Sequence, residues 1–186
     1  MKLLTLILGF ILFQVGCAGS SSFGDRFIVR ADQGAGVDQI AAIQIAVESW
    51  QSALGAGAHI NFSSGACNSE NDEVCIKFVP PSEIASITAD TGCIGWTAAY
   101  PSNSVIFIPS VLPSGWNTAA DLKQVIEHEM GHAMGLSHTQ ASTLMFQNAG
   151  DQAATPTCDD VAQWMSVRGQ SEITTNCPQG GSFTVQ

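Results

Sequence analysis

The sequence predicts one α+β domain on three observations: short apolar runs with strand period, longer runs with helical spacing, and 45 % apolar against 12 % charged residues in 186. A chain of this size and composition can close one packed core. Its formal charge of −10 arises from six Lys plus Arg against sixteen Asp plus Glu, with no basic run. That balance argues against nucleic acid as a partner.

Met1-Lys2 precedes an unbroken apolar stretch from Leu3 to Phe13, and Gly16, Cys17 and Ala18 follow. Residues 1–18 therefore read as an export signal, shorter than the ~20 residues of a membrane span and expected to be removed. Two routes of removal stay open. Val15-Gly16-Cys17 resembles a bacterial lipoprotein site, at which Cys17 would carry lipid and anchor the protein in the outer envelope, although Gln14 departs from the usual aliphatic residue. Ordinary cleavage after Ala18 or Gly19 would discard Cys17. Of the remaining cysteines, Cys67 with Cys75 and Cys158 with Cys177 are the economical local pairs in an oxidising compartment, although spacing does not fix connectivity. Cys93 is then the spare thiol.

Residues 19–24 are small and polar, a short tether, and the domain is expected over 25–170 with no room before it for a pro-domain. Arg26 to Arg30 alternates like a strand. Ile40, Ile43, Val47, Trp50 and Leu54 recur at spacings of three and four, a helix burying one face, and Gly55 and Gly57 end it. His59 to Phe62 and Val74 to Val79 read as strands on either side of a polar loop, the second stopped by Pro80-Pro81. His59 on a half-buried strand reads as structural. Ile94 to Tyr100 and Val105 to Ile108 form a strand pair around Pro101-Ser102-Asn103-Ser104, and the second, apolar on both faces, belongs inside a sheet.

Asn117 or Thr118 can cap a helix reaching about Met134, with Asp121 completing a capping box. A loop region over 137–156 leads to Thr157-Cys158-Asp159-Asp160, the start of a last helix whose Val161, Trp164, Met165 and Arg168 share a side and which Gly169 closes. Residues 171–186 read as a polar tail pinned by Cys177.

The chemistry lies on the helix before that loop. His128-Glu129-Met130-Gly131-His132 places two imidazoles four residues apart, one helical turn at about 3.6 residues per turn, so both can reach one ion. Glu129 lies beside them, where a carboxylate can take a proton from an attacking water and return it to a leaving amine. Gly135 can reverse the chain, and His138 follows to supply a third ligand. Three neutral imidazoles leave a fourth position open, the pattern of a catalytic zinc site rather than a closed structural one. A chance match to all these offsets is on the order of 1 in 10⁵ chains.

His128 through His138 resembles the metzincin signature H-E-x-x-H-x-x-G-x-x-H. The resemblance implies a zinc metallopeptidase domain with a twisted, mixed and mostly parallel sheet of about five strands, a backing helix, an active-site helix and a C-terminal helix. It also implies a Met-turn beneath the metal, which Met145 matches by position; filling the core is the competing reading of that residue. The short spacing and the closing helix from Asp159 to Gly169 are most similar to the matrixins. Thr139 stands where matrixins carry Ser, and Gln147 stands where astacin-like members carry a zinc-facing Tyr, which argues against a tyrosine switch.

Matrixins also hold a second zinc, calcium and a cysteine-bearing latency segment. Here His59 is the only histidine left over and no acidic loop has calcium spacing, so one zinc is expected and calcium is not supported. Latency is either absent or supplied by Asp25 or Cys93. The resemblance thus implies a monomeric secreted endopeptidase acting on protein or peptide. Two other readings remain: a hydrolase of cell-wall peptides with the same site, and a surface binding module with a structural zinc, against which Glu129 counts.

Overall fold

A computed structural model describes residues 25–68, 70–88, 93–116, 118–139, 142–147, 152–169 and 177. The expected export signal and tether, and all of the tail but Cys177, lie outside these residues.

Five strands, β1 (Arg26–Ala31), β2 (His59–Ser63), β3 (Glu73–Val79), β4 (Trp96–Ala99) and β5 (Asn103–Pro109), form one sheet in the order β2-β1-β3-β5-β4. Every neighbouring pair is parallel except β4 with β5. Among the described residues four α-helices accompany them: α1 (Val37–Leu54), α2 (Pro81–Thr88), α3 (Ala119–Ala133) and α4 (Cys158–Val167). This is the mostly parallel α+β architecture expected from the motif.

Alternation decides which side of the sheet is covered. Phe27, Val29 and Ala31 of β1 are buried while Arg26 and Ile28 are exposed, and Phe27 lies opposite Ile60 and Val29 opposite Val74. The crossover between parallel β1 and β2 is α1, which buries Ala42, Ile43, Ala46, Val47, Trp50 and Leu54 on one stripe. Gly55, at φ 60, ends it. Trp50 is fully buried, and its Nε1–H donates to the Glu127 carbonyl at 2.9 Å, which fixes the backing helix to α3. Arg30 Nε lies 3.0 Å from Glu73 Oε2, and Cys67 is bonded to Cys75. The second disulfide joins Cys158 to Cys177. Both expected pairings are therefore present.

Three local expectations change. The strand foreseen over Ile94 to Tyr100 is confined to Trp96–Ala99, because its antiparallel ladder with β5 runs only from Trp96 opposite Phe107 to Ala99 opposite Ser104. Pro81 does more than stop β3: it opens α2, at the helix position where a missing N–H costs nothing, and Ile84 is buried beneath that helix. The strand that carries His59 is half-buried as expected, but His59 itself lies on its solvent side and is exposed.

Candidate metal centre and active site

The active-site helix starts where the capping signals put it. Thr118 Oγ1 accepts from the Asp121 N–H at 3.1 Å, and the Asp121 carboxylate accepts from the Thr118 N–H at 2.8 Å. From Val125 to Ala133 every residue of α3 is buried. Its buried polar side chains have partners there: Lys123 Nζ for Glu127, Thr97 for Glu129, and backbone carbonyls for His128 and His132.

Gly135 takes φ 91, and the N–H groups of Gly135 and Leu136 donate to the carbonyls of His132 and Gly131 at 2.9 and 3.0 Å, which ends the helix and turns the chain back. His138 is thereby delivered over α3. Its Nε2 lies 3.3 Å from His128 Nε2 and 3.1 Å from His132 Nε2. The outer nitrogens are committed elsewhere: His128 Nδ1–H donates to the Leu144 carbonyl and His132 Nδ1–H to the Leu136 carbonyl, both at 2.8 Å. In that tautomer two Nε2 lone pairs converge with the His138 nitrogen on one point.

A tetrahedral zinc with Zn–N bonds of about 2.0–2.1 Å sets its ligand nitrogens about 3.3–3.4 Å apart. The 3.3 Å separation matches that edge and the 3.1 Å one is about 0.2 Å short of it, a gap that a small expansion on binding closes, and converging lone pairs repel unless a cation lies among them. The electrostatics agree. Burial pushes the His128 imidazole down to about 4, aided by the neighbouring His138, and pushes His132 down to about 3, aided by His128. Burial also lowers His138. All three are neutral near pH 7, the form a metal requires.

Met145 is fully buried and packs against Gly131 of α3, between the two histidines of the helix. A Cβ at Gly131 would run into its Sδ, so the glycine inside the motif makes room for the sulfur. The turn that presents Met145 is held by Asp160, whose carboxylate accepts from the Leu144 and Met145 N–H groups at 3.1 and 3.2 Å and also from Thr157 N–H at 2.8 Å. One buried carboxylate thus caps α4, braces the turn, and fixes the carbonyl that orients His128. The sequence showed Asp160 only as a helix-start residue.

Glu129, 4 % exposed, meets the strand β4. Thr97 Oγ1–H donates to Glu129 Oε2 at 2.6 Å and lies 3.0 Å from the Glu129 carbonyl. Neither Thr97 nor Gly95 stood out in the sequence, although Gly-x-Thr spacing puts two positions on one side of an extended chain. The two latency candidates join no metal-ligand group with the histidines. Cys93 donates its thiol to the Gly95 carbonyl at 2.7 Å, and the Asp25 carbonyl accepts from His59 N–H at 2.6 Å at the start of β1. Gln147 is exposed, and Thr139 is hydrogen-bonded through its hydroxyl to Thr143.

This fold and three-imidazole cluster define a zinc metallopeptidase of the metzincin clan. The Matrixin family model matches residues 30–167, and the chain belongs to that family. Protein or peptide is accordingly its substrate. Among solved structures, archaemetzincin from Methanopyrus kandleri is similar in fold, with TM-score 0.51 at 11 % identity, covering 78 % of this chain and 96 % of that one. High choriolytic enzyme 1, a hatching enzyme zinc-protease from Oryzias latipes (medaka fish), aligns with TM-score 0.35 at 16 % identity over 61 % of this chain and 44 % of its own. A comparison with curated proteins finds no match.

Proposed function

We propose that the protein is an exported endopeptidase in which His128, His132 and His138 hold one zinc ion and Glu129 is the general base. The observation that supports this most directly is the convergence of three imidazoles, at separations close to those of a tetrahedral ion's ligands, beside a buried carboxylate. When bound, zinc supplies the Lewis acidity that polarises the scissile carbonyl and acidifies water. Glu129 takes the proton of the attacking water and delivers it to the departing amine. Met145 is assigned to the floor of the site, since its sulfur packs at Gly131, between the two histidines of α3.

Among the described residues the edge strand β4 pairs only with β5, so an extended substrate can add along its other side through backbone hydrogen bonds. Such pairing recognises main chain in the middle of a polypeptide, which favours internal cleavage. Two disulfides support an oxidising compartment, and among the described residues no helix is long and apolar enough to cross a membrane. Residues 1–18 as an export signal, with or without lipid on Cys17, complete the reading.

The test is digestion of an unfolded protein, with fragments sized by mass spectrometry. Wild type is expected to cut at internal bonds and to stop when zinc is chelated. Glu129→Ala should keep stoichiometric zinc and lose about 10²–10⁴-fold in kcat. An Ala variant that binds zinc and cleaves at the wild-type rate would overturn the assignment.

A further inference from the structure

We infer that Thr97 is a positioning residue for the general base, holding one oxygen of Glu129 from the same strand that receives the substrate. The inference rests on the reading of Glu129 given above and deepens it. Thr97 is 1 % exposed, on the side of β4 that meets α3. Its hydroxyl donates to Glu129 Oε2 at 2.6 Å, the length of a hydrogen bond to a charged oxygen.

Gly95 completes the arrangement. A Cβ there would stand 2.7 Å from Glu129 Oε1 and 2.8 Å from Cγ, closer than real contacts allow, and 3.0 Å from Cδ. Residues 95 and 97 are two apart on an extended chain and so share a face. The carboxylate therefore sits in a notch: a position with no side chain admits it, and a hydroxyl two residues on fixes its rotation. Thr97 lies opposite Ile106 of β5, so sheet pairing sets where the hydroxyl stands.

The consequence for the reaction is positional. With Oε2 bonded to Thr97, the proton from water is received at Oε1: an O–H bond of water breaks, an Oε1–H bond forms, and the same proton later passes to the leaving nitrogen. Because β4 both pairs with the substrate and holds the base, carboxylate and scissile bond share one reference frame. Losing the hydroxyl frees the carboxylate to rotate, and misplacement of a catalytic group by about 1 Å costs on the order of 10²-fold.

The experiment compares Thr97→Val, Thr97→Ala and Thr97→Ser in the full purified protein, with zinc content, melting temperature, kcat and KM measured for each. The expected result is a fall of about 10- to 100-fold in kcat for Val and Ala, with zinc content and KM near wild type, and recovery in Ser. In a Glu129→Gln background, Thr97→Val should cost nothing further. Unchanged kcat in the zinc-loaded Val and Ala variants, no recovery in Ser, or a full additional loss in the Gln background would each overturn the inference. So would loss of zinc in both Val and Ala, since Thr97 is assigned to the base and not to the ligands. Thr97 variants at full rate beside an inactive Glu129→Ala sink only this inference, whereas an active Glu129→Ala sinks the base assignment itself.

Discussion

At position 131 any side chain would occupy the space of Met145 Sδ, and Trp50 closes the other side with Cζ2 3.4 Å from where a Cβ would stand. Gly131→Ala must therefore shift the methionine or bend α3 between His128 and His132. Overpacking of this kind costs about 1–3 kcal/mol, and here it should also loosen zinc, seen as faster transfer to a competing chelator. Wild-type melting and transfer would show that the sulfur is not confined as described. The imidazoles give a second outcome. Because His128 and His132 are held down to about 4 and about 3, below the ordinary value of 6.5, the metal-free native state refuses protons that the unfolded chain accepts. Stability of the metal-free protein is therefore full above pH 6.5 and lost as pH falls through 6.5 towards 4, by up to roughly 1.4 kcal/mol per pH unit for each histidine. Urea unfolding in chelator at pH 7.5, 6 and 5 measures it. At this scale the clustered histidines were legible because their spacing is local in sequence, while Thr97 was not, since 32 residues separate it from Glu129 and only the fold brings them together.

Element by element, the sequence was most readable where a segment carried its own boundary chemistry. Both α3 and α4 begin at a threonine with an acid three residues on, and both boxes form. The helix α2 went unread because Pro80-Pro81 signals a stop as strongly as a start, and its two buried residues, Ile84 and Thr88, include only one apolar side chain, too little periodicity to weigh against that. The last helix also does what no periodicity could show. Its Asp160, fully buried, ties the first turn of α4 to the backbone of Leu144 and Met145. Asp160→Ala leaves those two N–H groups and the Thr157 N–H without their carboxylate, which should cost about 3 kcal/mol and free the Leu144 carbonyl that orients His128. Asp160→Asn keeps one acceptor oxygen and should fall between. Melting curves read with and without zinc separate the two consequences: a purely structural role lowers both equally, whereas the described coupling lowers the zinc-loaded protein more.

For the molecule as a whole, sheet order was the part least available from sequence. Runs such as Val74 to Val79 announce a buried strand, yet only packing shows that β3 pairs with β1 and β5 while β2 is left at one edge. The parallel character followed from resemblance to a family, not from the residues. That topology has a thermodynamic consequence for the metal. The core joins Phe27, Val29, Ile60, Val74, Ile76, Ile106 and Ile108 of the sheet with Ile43, Val47 and Trp50 of α1. None of these side chains is a metal ligand, and the site's three histidines come from one helix and the turn after it. Zinc should thus stabilise the native state by mass action without being required to form it, unlike small domains whose core is the metal site. Chelation is expected to abolish peptide cleavage and lower the melting temperature, with far-ultraviolet circular dichroism and a cooperative transition retained. At a free zinc concentration 100 times Kd the loss is about 2.7 kcal/mol, and it should be restored on adding zinc back. A chelated protein with the spectrum of an unfolded chain would show instead that α3 and the Met-turn cannot close over the sheet without the ion.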